Sequence, residues 1–270
     1  MTALCLTMAV TLSCSDSFLD ISPEGAVLEE GLGTVDRTEG LIIAAYAGVA
    51  NSSWNYTWNS DYVWGSIRSD DAYKGGSGVA DQSPVNDLEQ YYLVTAAVPG
   101  YQNNAWEGIY EAISRINLAL QQLDNFSDDT YVIEGVPQAK TKRQAELRFL
   151  RGHLMFILKR LFKHPVWIEH TVPQDEVKLI SNREFTSDEL WDKIAEDFQF
   201  GMDNLPPQQQ QVGRPNQYAA AAYLAKTRLY QAYEQDDKHA VVAINSSKLE
   251  EVVRLADVVI GSGRYALVDN

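Results

Sequence analysis

The stretch Gln144–Pro165, QAELRFLRGHLMFILKRLFKHP, constrains this chain more than any other. Leu147, Leu150, Leu154, Leu158 and Leu161 recur at spacings of three and four, which puts them on one side of a helix. Phe149, Met155, Phe156, Ile157 and Phe162 widen that side beyond a stripe. Such a helix must be packed from two directions. Pro165 ends it, because proline lacks an N–H and disfavours a helical residue before it. The expectation is an all-helical body built around this segment, with Ala105–Leu123 and Pro215–Glu234 as its neighbours. Arg148 and Arg151, set between the leucines, are expected to hold loop carbonyls or acids near Asp70-Asp71.

Five further helices follow from the same periodicity. Thr34–Val49 presents Leu41, Ala44, Ala45 and Gly48, a small-residue face suited to close packing. Ala105–Leu123 repeats Trp106, Ile109, Tyr110, Ile113, Ile116, Leu120 and Leu123, and Asn117 interrupts that face. A buried asparagine there needs hydrogen-bond partners from a neighbouring segment. Thr186–Leu205 opens on a capping box, Thr186 with Glu189, and ends at Pro206-Pro207. Pro215–Glu234 is alanine-rich, and Ser246–Ile260 ends at Gly261-Ser262-Gly263. The fold class is therefore mainly α, antiparallel helix pairs of tetratricopeptide-like packing with long irregular loops after the first and third helices. His164–Arg183 reads as extended, and Tyr265–Val268 could begin a strand. Lys74–Gly78, KGGSG, reads as flexible.

Charge narrows the partners. The net charge is −15, from 22 basic and 37 acidic residues, and such a surface repels phosphate backbones. Nucleic acid is excluded on that ground. Both cysteines, Cys5 and Cys14, fall in the first 14 residues, so the body has neither a disulfide framework nor a Cys-ligated metal site. Leu4–Leu12 is apolar but too short to span a bilayer, and Ser13-Cys14 follows it. This reads as a lipoprotein signal over residues 1–13, lipid attachment at Cys14, and a tether and docking segment over 14–33.

The sequence offers no catalytic, metal or cofactor motif. Asp70-Asp71 are adjacent and so do not flank one substrate bond; a loop or capping role suits them better. His153, His164, His170 and His239 lack ligand spacing. Sugar binding has a positive case. A pyranose face stacks on an aromatic ring while its hydroxyls pair with Arg, Asn and Asp. Six Trp and 14 Tyr are many, and Asp61–Tyr73 and Tyr91–Asn104 place rings and polar groups together in loops. The candidate ligand residues are Trp64, Arg68, Asp71, Tyr73, Tyr92, Tyr101 and Asn103.

Several stretches in order resemble the SusD/RagB family of Bacteroidetes outer-membrane lipoproteins. They are Cys14 with SDSFLDISPEG, SIRSDDAY, AWEGIYEAISRIN, AELRFLRGHLMFILKRLFKHP, GRPNQYAAAAYLAKTRLYQAY and EVVRLADVVIGSGRYALV. The chain departs from the family pattern at Gly152, where alanine is usual, and at Lys163-His164 before Pro165. The resemblance implies a SusD-like helical N-terminal domain over residues 34–270, with the family's C-terminal half absent. It implies a non-enzymatic, lipid-anchored protein of the outer-membrane surface that captures glycans or other oligomeric nutrients. The implied partner is a SusC-like TonB-dependent transporter. Two alternatives stand beside it: a helical-repeat scaffold that binds only the transporter or another protein, and a carbohydrate-active enzyme of helical fold.

Overall fold

The structure is a computed structural model, and it describes residues 33–50, 62–92, 98–236 and 238–268. Every element below belongs to one compact unit, Val35–Asn270. The expected signal segment, Cys14 and residues 14–32 of the expected tether lie outside the described residues.

Seven α-helices are described: α1 Val35–Ala50, α2 Ser83–Glu89, α3 Val98–Asp124, α4 Ala139–Leu161, α5 Ser187–Asn204, α6 Gln217–Ala232 and α7 Ser246–Ile260. A π-helical turn, Tyr62–Ile67, precedes α2, and a 3-10 turn, Val177–Leu179, precedes α5. A small antiparallel hairpin, β1 Tyr233–Gln235 with β2 Val241–Ile244, joins α6 to α7. No described helix is long and apolar enough to cross a membrane.

Side-chain contacts give the direction of each helix. Along α4 and α5, Lys159 meets Ser187, Phe156 meets Trp191, and the Gly152 backbone meets Phe198. The numbers run in opposite directions, so the pair is antiparallel. Along α5 and α6, Trp191 meets Tyr230, Phe198 meets Tyr223 and Gly201 meets Ala220, again antiparallel. Trp106 with Phe162 and Asp124 with Gln144 give the same result for α3 and the α4 end of the chain. The body is an up-and-down array in which each helix covers the next.

The central helix is as apolar as its sequence required. Leu147, Leu154 and Leu158 are fully buried, and Phe149, Met155, Phe156 and Ile157 are buried on its other flank. Its principal neighbours are α5 and α3 rather than α6 and α3. Rings of α6 still reach it, through Tyr223 on Phe149 and Tyr230 on Phe156. The arginine expectation is corrected too. Arg151 donates twice to the Asp197 carboxylate at 2.8 and 2.9 Å, and Arg148 donates to it at 2.8 Å. Asp197 lies on α5, far in sequence from Asp70-Asp71, whose Asp71 instead accepts from Ser69 Oγ at 2.9 Å.

Two helix starts differ from the sequence reading. Helix α3 begins at Val98, not Ala105, because Pro99 falls in the first turn, where the missing N–H costs nothing. Helix α4 begins at Ala139, after Gln138 in a left-handed conformation. Helix α2 and the hairpin were not foreseen, and Tyr265–Val268 forms no strand. The capping box at Thr186 is present in both directions.

Candidate functional site

Residues 62–92 build a small satellite core of their own. Val63 and Ile67 of the π-helical turn pack on Val85 and Leu88 of α2, and Trp64 and Tyr101 cover them. Trp64 also reaches the main core. Two turns of structure thus lock together a stretch that composition marks as irregular. Between them, Lys74 Nζ donates to the carbonyls of Gly75, Gly78 and Asp81, at 3.0, 2.9 and 2.5 Å. The Asp81 carboxylate accepts from Ser77 N at 3.0 Å. The KGGSG segment is a tied turn rather than an open tether.

Four tyrosine rings of this segment are open to solvent. Tyr62, Tyr73, Tyr91 and Tyr92 are 45, 67, 53 and 56% exposed. The Arg68 guanidinium lies 4.4 Å from the centroid of the Tyr91 ring, and the Tyr91 hydroxyl donates back to the Arg68 carbonyl. Arg68 also donates to the Leu88 carbonyl at 3.3 Å. Asp70, Gln82 and Tyr91 hold positive φ of 65, 54 and 61°. Such backbone is costly for a tyrosine and persists only where the surroundings over-determine it. The result is a fixed, solvent-facing pairing of ring and cation.

The predicted residues divide. Arg68, Asp71, Tyr73 and Tyr92 lie in this surface segment. Trp64 is half-buried, packed between the two cores. Tyr101 is a helix residue; its hydroxyl donates to Gln82 Oε1 at 3.0 Å, and burial pushes its phenol pKa up. Asn103, also helical, donates to Glu107 at 2.8 Å. Two residues are about 200° apart round a helix, so Tyr101 and Asn103 leave α3 on nearly opposite sides. Tyr91 was missed. Its signal was present in the Tyr91-Tyr92 pair, of which the sequence reading took only the second.

The side of α3 that carries Asn103 also carries Trp106, Tyr110, Asn117 and Leu118, and these line a cleft of about 410 Å³. Its other wall is the segment after the central helix, with Val166, Ile168, Glu169, His170 and Val172. Tyr110 fixes that segment by donating to the Val166 carbonyl at 2.8 Å and accepting from Val166 N at 2.6 Å. Asn117 Nδ2 donates to the Ile168 carbonyl at 2.9 Å, which is the partner its place in an apolar face demanded. Its Oδ1 is buried without a partner among the described residues. His170 Nε2 lies 2.8 Å from the Asp124 carboxylate. Glu169 is pulled two ways. Burial raises its pKa, but Arg151, the Trp167 N–H at 2.7 Å and Lys193 outweigh this and hold the carboxyl below its usual range. The central helix, through Arg151, therefore positions the wall of this cleft.

The described fold is an array of antiparallel helix pairs carrying structured loops, and comparison with known proteins supplies its class. Residues 17–229 match the SusD-like family model described as starch-binding associating with outer membrane, and the chain belongs to that family. A SusD-like protein of Bacteroides ovatus is 30% identical over 227 residues, covering 83% of this chain and 38% of that protein. The crystal structure of a SusD homolog from Bacteroides thetaiotaomicron superposes with a TM-score of 0.68 at 18% identity, over 88% of this chain and 42% of the other. A laminarin-binding SusD-like protein superposes with a TM-score of 0.67 at 21% identity, over 87 and 46%. The chain thus spans less than half the length of these relatives.

Proposed function

We propose that this protein binds oligosaccharides at the cell surface, on the tyrosine-rich segment 62–92. The observation that carries the reading is the fixed Tyr91–Arg68 pair among exposed tyrosines. A ring held rigid costs little entropy when a sugar stacks on it, and the neighbouring Arg68 and Asp71 can pair with hydroxyls. Family membership and the laminarin-binding relative support the same reading. No reaction is proposed for it. Isothermal titration against starch-type and laminarin-type oligosaccharides tests it. Tyr91→Ala or Arg68→Ala is expected to weaken binding about tenfold, equivalent to about 1.4 kcal/mol. No heat with any glycan, together with retained binding to a membrane protein, would favour the pure scaffold; release of reducing ends would favour an enzyme.

The finer reading is delivery to a SusC-like TonB-dependent transporter, from an outer-membrane anchor made by lipid on Cys14. The sequence around Ser13-Cys14 and the family description support it. Co-purification with the transporter tests the partnership. Palmitate labelling that survives Cys14→Ala would remove the anchor.

A further inference from the structure

Lys74 is a cation whose hydrogen-bonding capacity is taken up inside its own turn. An ammonium carries three N–H groups, and Lys74 Nζ donates to the carbonyls of Gly75, Gly78 and Asp81. Three oxygens converge on one charge, and residues 75–81 fold round it. The backbone is shaped for that path. Gly76 holds a φ of 81°, which glycine adopts without penalty, and a Cβ there would stand 2.3 Å from Asp81 Oδ2. The same oxygen accepts from Ser77 N at 3.0 Å. The Asp81 N–H closes the turn on the Gly78 carbonyl at 3.1 Å.

This turn lies between the residues that carry the exposed rings. Tyr62 donates to the Tyr73 and Lys74 carbonyls, at 3.2 and 2.7 Å. Lys74 thus joins the π-helical turn through its backbone and residues 75–81 through its side chain. Helix α2 begins at Ser83, just after Asp81. Its far end supplies the Leu88 carbonyl to Arg68, and the Tyr91 hydroxyl returns to the Arg68 carbonyl. The path from Tyr62 to Tyr91 is a closed circuit of contacts, with the Lys74 ammonium on one arm and Arg68 on the other.

We propose that Lys74 is a positioning residue: its ammonium, held by three carbonyls, fixes Tyr62, Tyr73 and the approach to α2 in the arrangement that receives a glycan. The inference rests on the carbohydrate-binding reading of segment 62–92 and adds what holds that site in shape. Lys74 itself makes no ligand contact, since all three of its donors are engaged. Without the ammonium, water takes its place at the carbonyls and the turn gains conformations. Binding must then order it.

The test removes the ammonium and then restores it. In Lys74→Cys, calorimetric titration with maltoheptaose and laminarihexaose is expected to show about tenfold weaker binding, at an unchanged melting temperature. Hydrogen exchange at the Ser77 and Asp81 amides should quicken at the same time. Aminoethylation of the Lys74→Cys thiol rebuilds a side chain of the same length ending in an ammonium, and should restore both. The unsubstituted chain, treated alike, controls for Cys5 and Cys14. Gly76→Ala strains the same turn with Lys74 in place and should weaken binding in the same way; it carries the test if Lys74→Cys does not fold. Faster exchange without weaker binding would make the three-carbonyl cage a structural tie only. Weaker binding without faster exchange would make Lys74 a ligand contact. Either result, or affinity that aminoethylation does not restore, would overturn the proposal and leave the glycan reading standing. No binding of either glycan by the unsubstituted chain would remove the glycan reading itself, and the role assigned to Lys74 with it.

Discussion

Asp197 shows what a single carboxylate does in this molecule. It is fully buried on α5 and receives three hydrogen bonds from Arg148 and Arg151 of the central helix. Arg151 is itself 4% exposed, spans to Glu169 at 3.1 Å, and lies 4.8 Å from the Trp167 ring centroid. A buried ion pair adds little over a well-packed apolar pair, but removing one partner leaves an uncompensated charge in a poor solvent. Asp197→Asn is therefore expected to cost roughly 3 kcal/mol. In a body of this size that lowers the melting temperature by about 6–12 °C. Urea denaturation with and without the substitution checks the figure. A loss below about 1 kcal/mol would mean that solvent reaches Arg151 and repays the missing charge.

At the scale of the element, the central helix decides how closely α5 can approach. A Cβ on Gly152 would stand 3.2 Å from Cε1 and Cζ of Phe198 and 3.3 Å from Cβ of Asp197. Phe198 cannot yield easily, since it is fully buried with Phe149 and Tyr223 rings at 5.6 and 5.2 Å. Gly152→Ala gains about 1 kcal/mol of helix propensity and loses about 2 kcal/mol to overpacking. A net loss of about 1 kcal/mol is expected in chemical denaturation. In a Phe198→Leu background, where the ring is gone, the same change should become neutral or stabilising. Destabilisation of equal size in both backgrounds would show that the ring is not the obstacle. The glycine and the phenylalanine form a matched local pair. The periodicity of Leu147–Leu161 made the helix legible, and Thr186 with Glu189 made the start of α5 legible. Helix α2 and the hairpin were not legible, because seven and three residues carry too little periodicity to separate from loop. The candidate site was half legible. Residue types marked Asp61–Tyr73 and Tyr91–Asn104, but only the three-dimensional path of α3 separates Tyr101 from Asn103, and only the folded contacts of Tyr110, Asn117 and Asp124 bring residues 166–172 against α3.

For the whole molecule, three phenols bolt elements that are distant in sequence. Tyr46 on α1 donates to Glu146 on α4 at 2.8 Å. Tyr131, in the loop before α4, donates to Glu39 on α1 at 2.6 Å. Tyr110 on α3 donates to the carbonyl of Val166 beyond α4. Burial raises all three phenol pKa values above the ordinary 10.0. The neighbouring carboxylates push Tyr46 and Tyr131 further, against the opposing pull of arginine. The sign follows from linkage. The folded chain keeps these protons at a pH where the unfolded chain has released them, so the unfolded state binds fewer protons and stability falls as pH rises. Their contribution is complete below about pH 10, the value for a free phenol, and is lost progressively above it. Absorbance of tyrosinate and helical circular dichroism, followed together on raising the pH, check this. Tyr46, Tyr110 and Tyr131 should ionise only as the helical signal collapses. Replacing all three by phenylalanine should destabilise the protein near neutral pH, through lost hydrogen bonds, yet flatten the fall above pH 10. Ionisation of Tyr46, Tyr110 and Tyr131 with the helical signal intact would show that these joints open to solvent without unfolding the body.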